Sequence, residues 1–376
     1  MIKIRVHLIY VFCLLGSISA WAQALIIDSP RDYEVFQRHT FQAGYVSLAG
    51  SLAAGGDRLE TRTAGPKKNE GWMVVPFDPK AHIFRTLVPV SAGGWYSLEV
   101  RLLKRRKVVA QVSVPHVGVG EVFVIAGQSN STNYGEVKQQ TESGMVVAFS
   151  GTAWQIANDP QPGVQDNSAN GSFIPAFGDA MYARYHVPIG VACVGHGSTS
   201  VRQWLPKGDR IDVPPTMGKF VTQIGPSEWR STGELFDGML DRMRQLGPNG
   251  FRAVLWHQGE SDAHQKPEHE ITADQYRNLL ERVIRASRRD AGWEMPWFVA
   301  QASYHSPEDL SCPPIREAQS SLWKEGVALE GPDTDQLTGE NRQDNGKGVH
   351  FSARGLKAHG ELWAEKVGAY LDYLLQ

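Results

Sequence analysis

At 376 residues the chain is longer than one hydrophobic core normally fills, so about two structural units are expected. With 41% hydrophobic and 21% charged residues it reads as an ordinary folded protein, which excludes a disordered or fibrous chain; a formal net charge of -2 gives no electrostatic basis for holding nucleic acid or an anionic membrane. Neutral small molecules or polymers remain as partners, and the 11 tryptophans hint weakly at sugars, whose rings stack on flat apolar faces, although core packing uses most such residues.

In chain order, Lys3 and Arg5 precede an apolar run from Leu8 to Leu15, and small residues follow up to Ala20-Trp21-Ala22. That order reads as a secretory signal over residues 1–22, with an apolar run too short to span a bilayer. An exported protein, periplasmic or secreted, is expected. Cys13 falls in the signal, which leaves Cys193 and Cys312; two distant cysteines make no disulfide framework, and whether they pair stays open.

Residues 23–117 hold only short strand-like runs, such as Trp72 to Val75, Phe84 to Val88, Trp95 to Val100 and Val108 to Val112, divided by turn signals. Their spacing predicts a small all-β sandwich of the Ig-like kind, and Lys104 to Lys107 reads as a solvated hairpin turn. From residue 118 to 376 strands alternate with amphipathic helices, the pattern of a three-layer α/β/α domain whose five-stranded sheet is mostly parallel. The expected strands are Val122 to Ala126, Pro188 to Val194, Phe251 to Trp256, Trp297 to Gln301 and Val327 to Leu329. Thr272 to Gln275 reads as a capping box, and Ser231 with Glu234 as a second one. The last helix should start near Ser352 and bury Leu356, Leu362, Trp363, Val367, Tyr370, Leu371 and Leu374. The polar stretch from Thr132 to Gly171 predicts loops at the mouth of a site.

The chemistry-bearing residues gather at strand ends, where α/β sheets bind ligands. The first strand stops at Gly127-Gln128-Ser129-Asn130, offering a hydroxyl nucleophile, though Gly-x-Ser alone is a common turn. The second delivers Gly195 to Ser200, where glycine would let a backbone N–H approach a ligand or simply make a tight turn. The third delivers His257 to Asp262, polar groups that are costly to bury unless they serve each other or a substrate. His350, just ahead of the last helix, suits a general base at neutral pH.

These four segments in this order, with Trp204, resemble the SGNH-hydrolase superfamily and, within it, the sialate O-acetylesterase-like branch that includes acetylxylan esterases. The resemblance runs from about residue 119 to 376. It implies a flavodoxin-like catalytic domain behind a small β-sandwich, and removal of O-acetyl groups from a glycan with no cofactor. It also implies Ser129 as nucleophile, His350 as base, and the Ser129 N–H, the Gly197 N–H and the Gln258 side chain around the oxyanion. One position departs: the acid usual three residues before the histidine is Lys347, which cannot accept the imidazole N–H. Asp344 is the nearest acid and the expected third member; Glu260 is an alternative acid or a substrate contact, and a backbone carbonyl would leave a dyad. An impaired homologue that only binds carbohydrate is the alternative function. His257, His264 and His269 lie close in sequence but match no zinc signature, so no metal is expected. The sequence carries no signal for oligomeric state.

Overall fold

The computed structural model describes residues 25–375 except 54, 66–70, 78, 79, 81, 227 and 264, so the signal read over residues 1–22 lies outside the described residues. The described residues open with strands: β1 (Leu25–Ser29), β2 (Val35–Gln37), β3 (Ala43–Leu52), β4 (Arg58–Ala64), β5 (Met73–Val75), β6 (Ile83–Ser91), β7 (Gly93–Lys104) and β8 (Lys107–Gly127). Alternation of apolar and polar residues lets one face of each pack inward, as in β3, where Val46, Leu48 and Leu52 are buried. A three-stranded sheet, β1-β3-β6, and a second one built on β4, β7 and β8 share a core with Leu59, Leu98, Val100 and Leu102. The β7–β8 hairpin turns at Arg105 and Arg106, both at positive φ (49° and 67°), between the paired Lys104 and Lys107.

β8 is 21 residues long and belongs to both parts of the chain. Its first half pairs antiparallel with β7, and its second half, from Glu121 on, pairs parallel with the strands that follow. These are β9 (Val146–Phe149), β10 (Trp154–Ile156) and, after α1 (Ile174–Tyr185), β11 (Ile189–Cys193). A small sheet of β12 (Arg210–Ile211), β13 (Val221–Gly225) and β14 (Glu228–Ser231) precedes α2 (Glu234–Leu246) and β15 (Ala253–His257). Next come α3 (Glu260–Ala263), α4 (Ala273–Ala291), β16 (Trp297–Gln301), α5 (Pro313–Lys324), β17 (Leu329–Asp333), the short α6 (Gln343–Gly346) and α7 (Ala353–Leu374).

The large sheet runs β10-β9-β11-β8-β15-β16-β17. Residues alternate along its strands between two cores. Val122, Val124, Val254 and Trp256 meet α2, α4 and α5, whereas Phe123, Ile125, Val191 and Leu255 meet α1 and α7. Six of its strands are parallel, with β10 antiparallel at the edge, instead of the five expected. The extra pair, β9 and β10, lies in the stretch read as loops; Val146-Val147-Ala148-Phe149 is a wholly buried four-residue run too short to stand out among polar neighbours. The fifth expected strand begins later, at Leu329, because Val327 and Ala328 close the end of α5 by donating to the Leu322 carbonyl.

Thr272 caps α4 through the expected box with Gln275. Ser231 does not cap α2: its hydroxyl donates to the Leu205 carbonyl, and Gly233 at φ 80° takes the cap position. In α7 Trp363, Val367 and Leu371 are buried, but Leu374 is exposed at the fraying end. Trp204, Trp256, Trp297 and Trp363 are fully buried, so these tryptophans serve the core. Cys193 and Cys312 are both free. No helix among the described residues is long and apolar enough to cross a membrane.

The junction of the two parts is polar and centres on the fully buried Glu121 and Arg38. Glu121 receives hydrogen bonds from Arg38 Nε (2.6 Å), Gln37 Nε2 (2.9 Å) and Arg252 Nε (2.7 Å), so strands from both halves meet on one carboxylate.

Candidate active site

The chain leaves β8 to build β9 and β11 on one side and then crosses over to build β15, β16 and β17 on the other. The carboxyl end of β8 is therefore where connections diverge and a crevice opens. The apolar run ends at Gly127, whose φ of 128° turns the chain toward Gln128 and a short 3₁₀ turn, Ser129–Ser131. A Cβ on Gly127 would lie 2.0 Å from the His257 carbonyl oxygen, so only glycine lets the ends of β8 and β15 pack this closely. Gly127→Ala is expected to lower stability by at least about 2 kcal/mol and to displace Ser129; urea unfolding and aryl acetate turnover measure the two effects.

Neighbouring strand ends lock this turn. Gln128 N donates to the His257 carbonyl (2.9 Å), His196 N to the Gly127 carbonyl (2.9 Å) and Ser261 N to Gln128 Oε1 (2.9 Å). Ser129, His350 and Glu260 line one cavity of about 430 Å³, together with Ser198, Lys266 and His305. Asn130, beside the serine, clasps the other two: its Nδ2 donates to Glu260 Oε1 (2.8 Å) and to the carbonyl of Val349 (3.3 Å), the residue before His350. Asn130 stands in the motif read from the sequence, but its clasping role had no local signal.

Glu260 is buried, and among the described residues its Oε2 has no hydrogen-bond partner. Its Oε1 is 3.7 Å from His257 Nδ1, and burial pushes His257 below the ordinary histidine value. The countercharge is Arg342. Its guanidinium lies between Tyr304 (3.8 Å) and Phe351 (4.2 Å) and donates to the carbonyls of Leu337, Val349 and Thr334. Burial lowers its pKa to about 10, against the pull of Glu260.

Two expected oxyanion donors are engaged elsewhere. The Gly197 N–H donates to Asp166 Oδ2 (2.6 Å). The glycine there makes room for Tyr134, since a Cβ would be 2.6 Å from the Tyr134 ring, and that ring stacks on His350 with centroids 5.1 Å apart. Gln258 is fully buried behind the site: Nε2 donates to Asp262 Oδ2 (2.7 Å) and the Thr199 carbonyl (3.0 Å), and Oε1 accepts from the Tyr276 hydroxyl (2.9 Å). Ser198, at φ 58°, lines the cavity beside them.

Burial is the main cause holding the His350 imidazole below its usual value; Glu260 and Asp344 oppose the shift and Arg342 adds to it. Among the described residues no hydrogen bond joins Asp344 to His350. The group at His350 Nδ1 is the Gln343 carboxamide, with Nε2 at 3.2 Å. The isolated antiparallel bridge between Arg342 and Phe351 and the bond from Gln343 N–H to the His350 carbonyl (3.0 Å) bring Gln343 alongside His350, whereas the exposed Asp344 follows at φ 55° in the turn.

His264 lies outside the described residues. The other two histidines of that trio have separate partners: His257 Nε2 is 2.8 Å from Thr334 Oγ1, and His269 Nδ1 is 2.9 Å from the Pro214 carbonyl oxygen.

Residues 119–369 match the family model described as carbohydrate esterase, sialic acid-specific acetylesterase. Among solved structures, a carbohydrate acetylesterase from Xanthomonas citri is 18% identical with a TM-score of 0.53, the alignment covering 89% of this chain and 72% of that one. A protein from Arabidopsis thaliana is 19% identical over 67% of this chain and 98% of that one, with a TM-score of 0.46. A family two carbohydrate esterase from Clostridium thermocellum, solved with cellohexaose, is 12% identical over 89% and 90%, with a TM-score of 0.36. At these identities the first likeness speaks for the fold. A comparison with curated proteins finds no match.

Proposed function

The chain belongs to the carbohydrate esterase family of sialic acid-specific acetylesterases and is a carboxylic ester hydrolase, and from that premise we propose that it removes O-acetyl groups from a sugar or polysaccharide through a serine acyl-enzyme. The observation that carries this reading is that Ser129 and His350, far apart in sequence, line one cavity and are clasped through Asn130. His350 Nε2 takes the Ser129 Oγ proton as Oγ bonds to the acetyl carbon. The oxyanion of the tetrahedral intermediate is held by the Ser129 N–H and the Ser198 backbone, and Gly197 joins only when Asp166 releases its N–H. Collapse expels the sugar alkoxide, which takes the proton from His350. Water, deprotonated by His350, then adds to the acyl carbon; the acyl–Oγ bond breaks, Ser129 Oγ takes the proton back from His350, and acetate leaves.

Glu260, which lines the cavity, acts as a substrate contact in this scheme. Residues 23–117 form the β-sandwich unit and 118–376 the esterase unit, and residues 1–22 direct export. The reading as an impaired, carbohydrate-binding homologue has no observation in its favour. Acetate release from acetylated xylan, pectin and sialic acids tests the function: release from at least one is expected. Failure on all three, together with no hydrolysis of an aryl acetate, would sink it.

A further inference from the structure

The residue that orients His350 is where this chain departs from the usual triad, and the loop geometry identifies a replacement. Gln343 and His350 lie next to the isolated antiparallel bridge between Arg342 and Phe351. The Gln343 N–H donates to the His350 carbonyl (3.0 Å), and the Gln343 carbonyl accepts from Lys347 N (3.2 Å) and Gly348 N (3.0 Å), so the loop is tied down at Gln343. The side chain is equally confined: a Cβ on Gly348 would lie 2.3 Å from Gln343 Cγ and 3.0 Å from Nε2. Gly348 thus gives the carboxamide its path to the imidazole.

We infer that Gln343 is the positioning residue of the base, with its carboxamide oxygen accepting the His350 Nδ1–H in the state that reacts. This inference rests on the serine mechanism proposed above. The carboxamide lies 3.2 Å from Nδ1; its nitrogen end toward the ring would donate and leave the ring proton on Nε2, where it blocks uptake of the Ser129 proton. A half-turn about the last side-chain bond presents Oε1, moves the ring proton to Nδ1 and frees Nε2 as the base. A neutral acceptor orients the ring without adding charge to the imidazolium. The ionised groups around the ring are then Glu260 and Arg342, and Asp344 from the loop, with the Tyr134 ring stacked on one face.

The test reads the ring directly, by nitrogen NMR of His350 against pH, beside the pH profile of kcat/KM. In wild type the neutral ring should carry its proton on Nδ1, and the acid limb of kcat/KM should fall below the ordinary histidine value of about 6.5, as expected for a base made harder to protonate by burial. Gln343→Ala should move the neutral ring toward the Nε2–H form and lower kcat about tenfold to a hundredfold with little change in KM. Gln343→Glu, which restores a carboxylate, should raise the His350 pKa and the acid limb together by about one unit or more. Gly348→Ala, which displaces the side chain without removing it, should match Gln343→Ala.

An unchanged tautomer in Gln343→Ala, or an unmoved pKa in Gln343→Glu, overturns the inference whether or not the protein turns over substrate. A tenfold loss in Asp344→Asn with both Gln343 variants near wild type overturns it in favour of the acid. Wild-type turnover no faster than that of Ser129→Ala would instead sink the serine mechanism and leave the ring measurements to be judged on their own.

Discussion

Ser129→Ala is expected to lower kcat on an aryl acetate by about 10⁴-fold or more while leaving KM nearly unchanged. In the proposed mechanism the hydroxyl is the only group of the residue used in bond making, whereas its carbonyl holds the turn by accepting from Thr132 N (3.0 Å) and Thr132 Oγ1 (2.9 Å). Truncation should therefore leave the turn and the cavity intact. The effect of His350→Ala should be about as large, and the double variant hardly worse than either single one, because nucleophile and base act as one unit. Additive losses would mean that the two residues do not share a step. A wild-type burst of nitrophenol that is absent in Ser129→Ala would report the acyl-enzyme.

The second large effect is on stability. Glu121→Ala removes the carboxylate that Arg38, Gln37 and Arg252 share, and Arg38 has no exposed side-chain surface from which to reach water. Breaking a buried pair by deleting one partner costs about 3–5 kcal/mol, because the remaining charge stays buried. Arg38 Nη2 already lacks a partner, so the site has no reserve of acceptors. Glu121 lies on β8 where the strand passes from one set of neighbours to the other, and Arg38 and Gln37 come from the first part of the chain while Arg252 comes from the second. The loss should loosen both parts together and appear as a lower urea midpoint in probes of either. The paired change Glu121→Leu with Arg38→Met should recover most of the loss; if it does not, packing rather than charge pairing dominates at the junction.

Several elements were legible without coordinates because their signals are local. The apolar run into Gly127-Gln128-Ser129 marks a buried strand and its turn, and Thr272 with Gln275 marks a helix start; both stand where expected. Ser231 with Glu234 has the same spacing as a capping box, yet the serine hydroxyl found the Leu205 carbonyl first. β9 escaped notice for a related reason, since four apolar residues acquire meaning only beside the strand that covers them.

The sequence by itself determined which residue types could perform the chemistry, a serine at one strand end and a histidine before the last helix, because strand ends and helix starts are written in nearby residues. Only the tertiary structure decided how their helpers are used. Gly197 makes room for Tyr134 while its N–H is held by Asp166, Gln258 is consumed by Asp262 and Tyr276, and Gln343 instead of Asp344 meets His350. The physical reason is that a hydrogen-bonding group is committed by whichever partner the fold brings into reach, and in the loop before α7 the backbone bond between Gln343 and His350, beside the Arg342–Phe351 bridge, selects that partner.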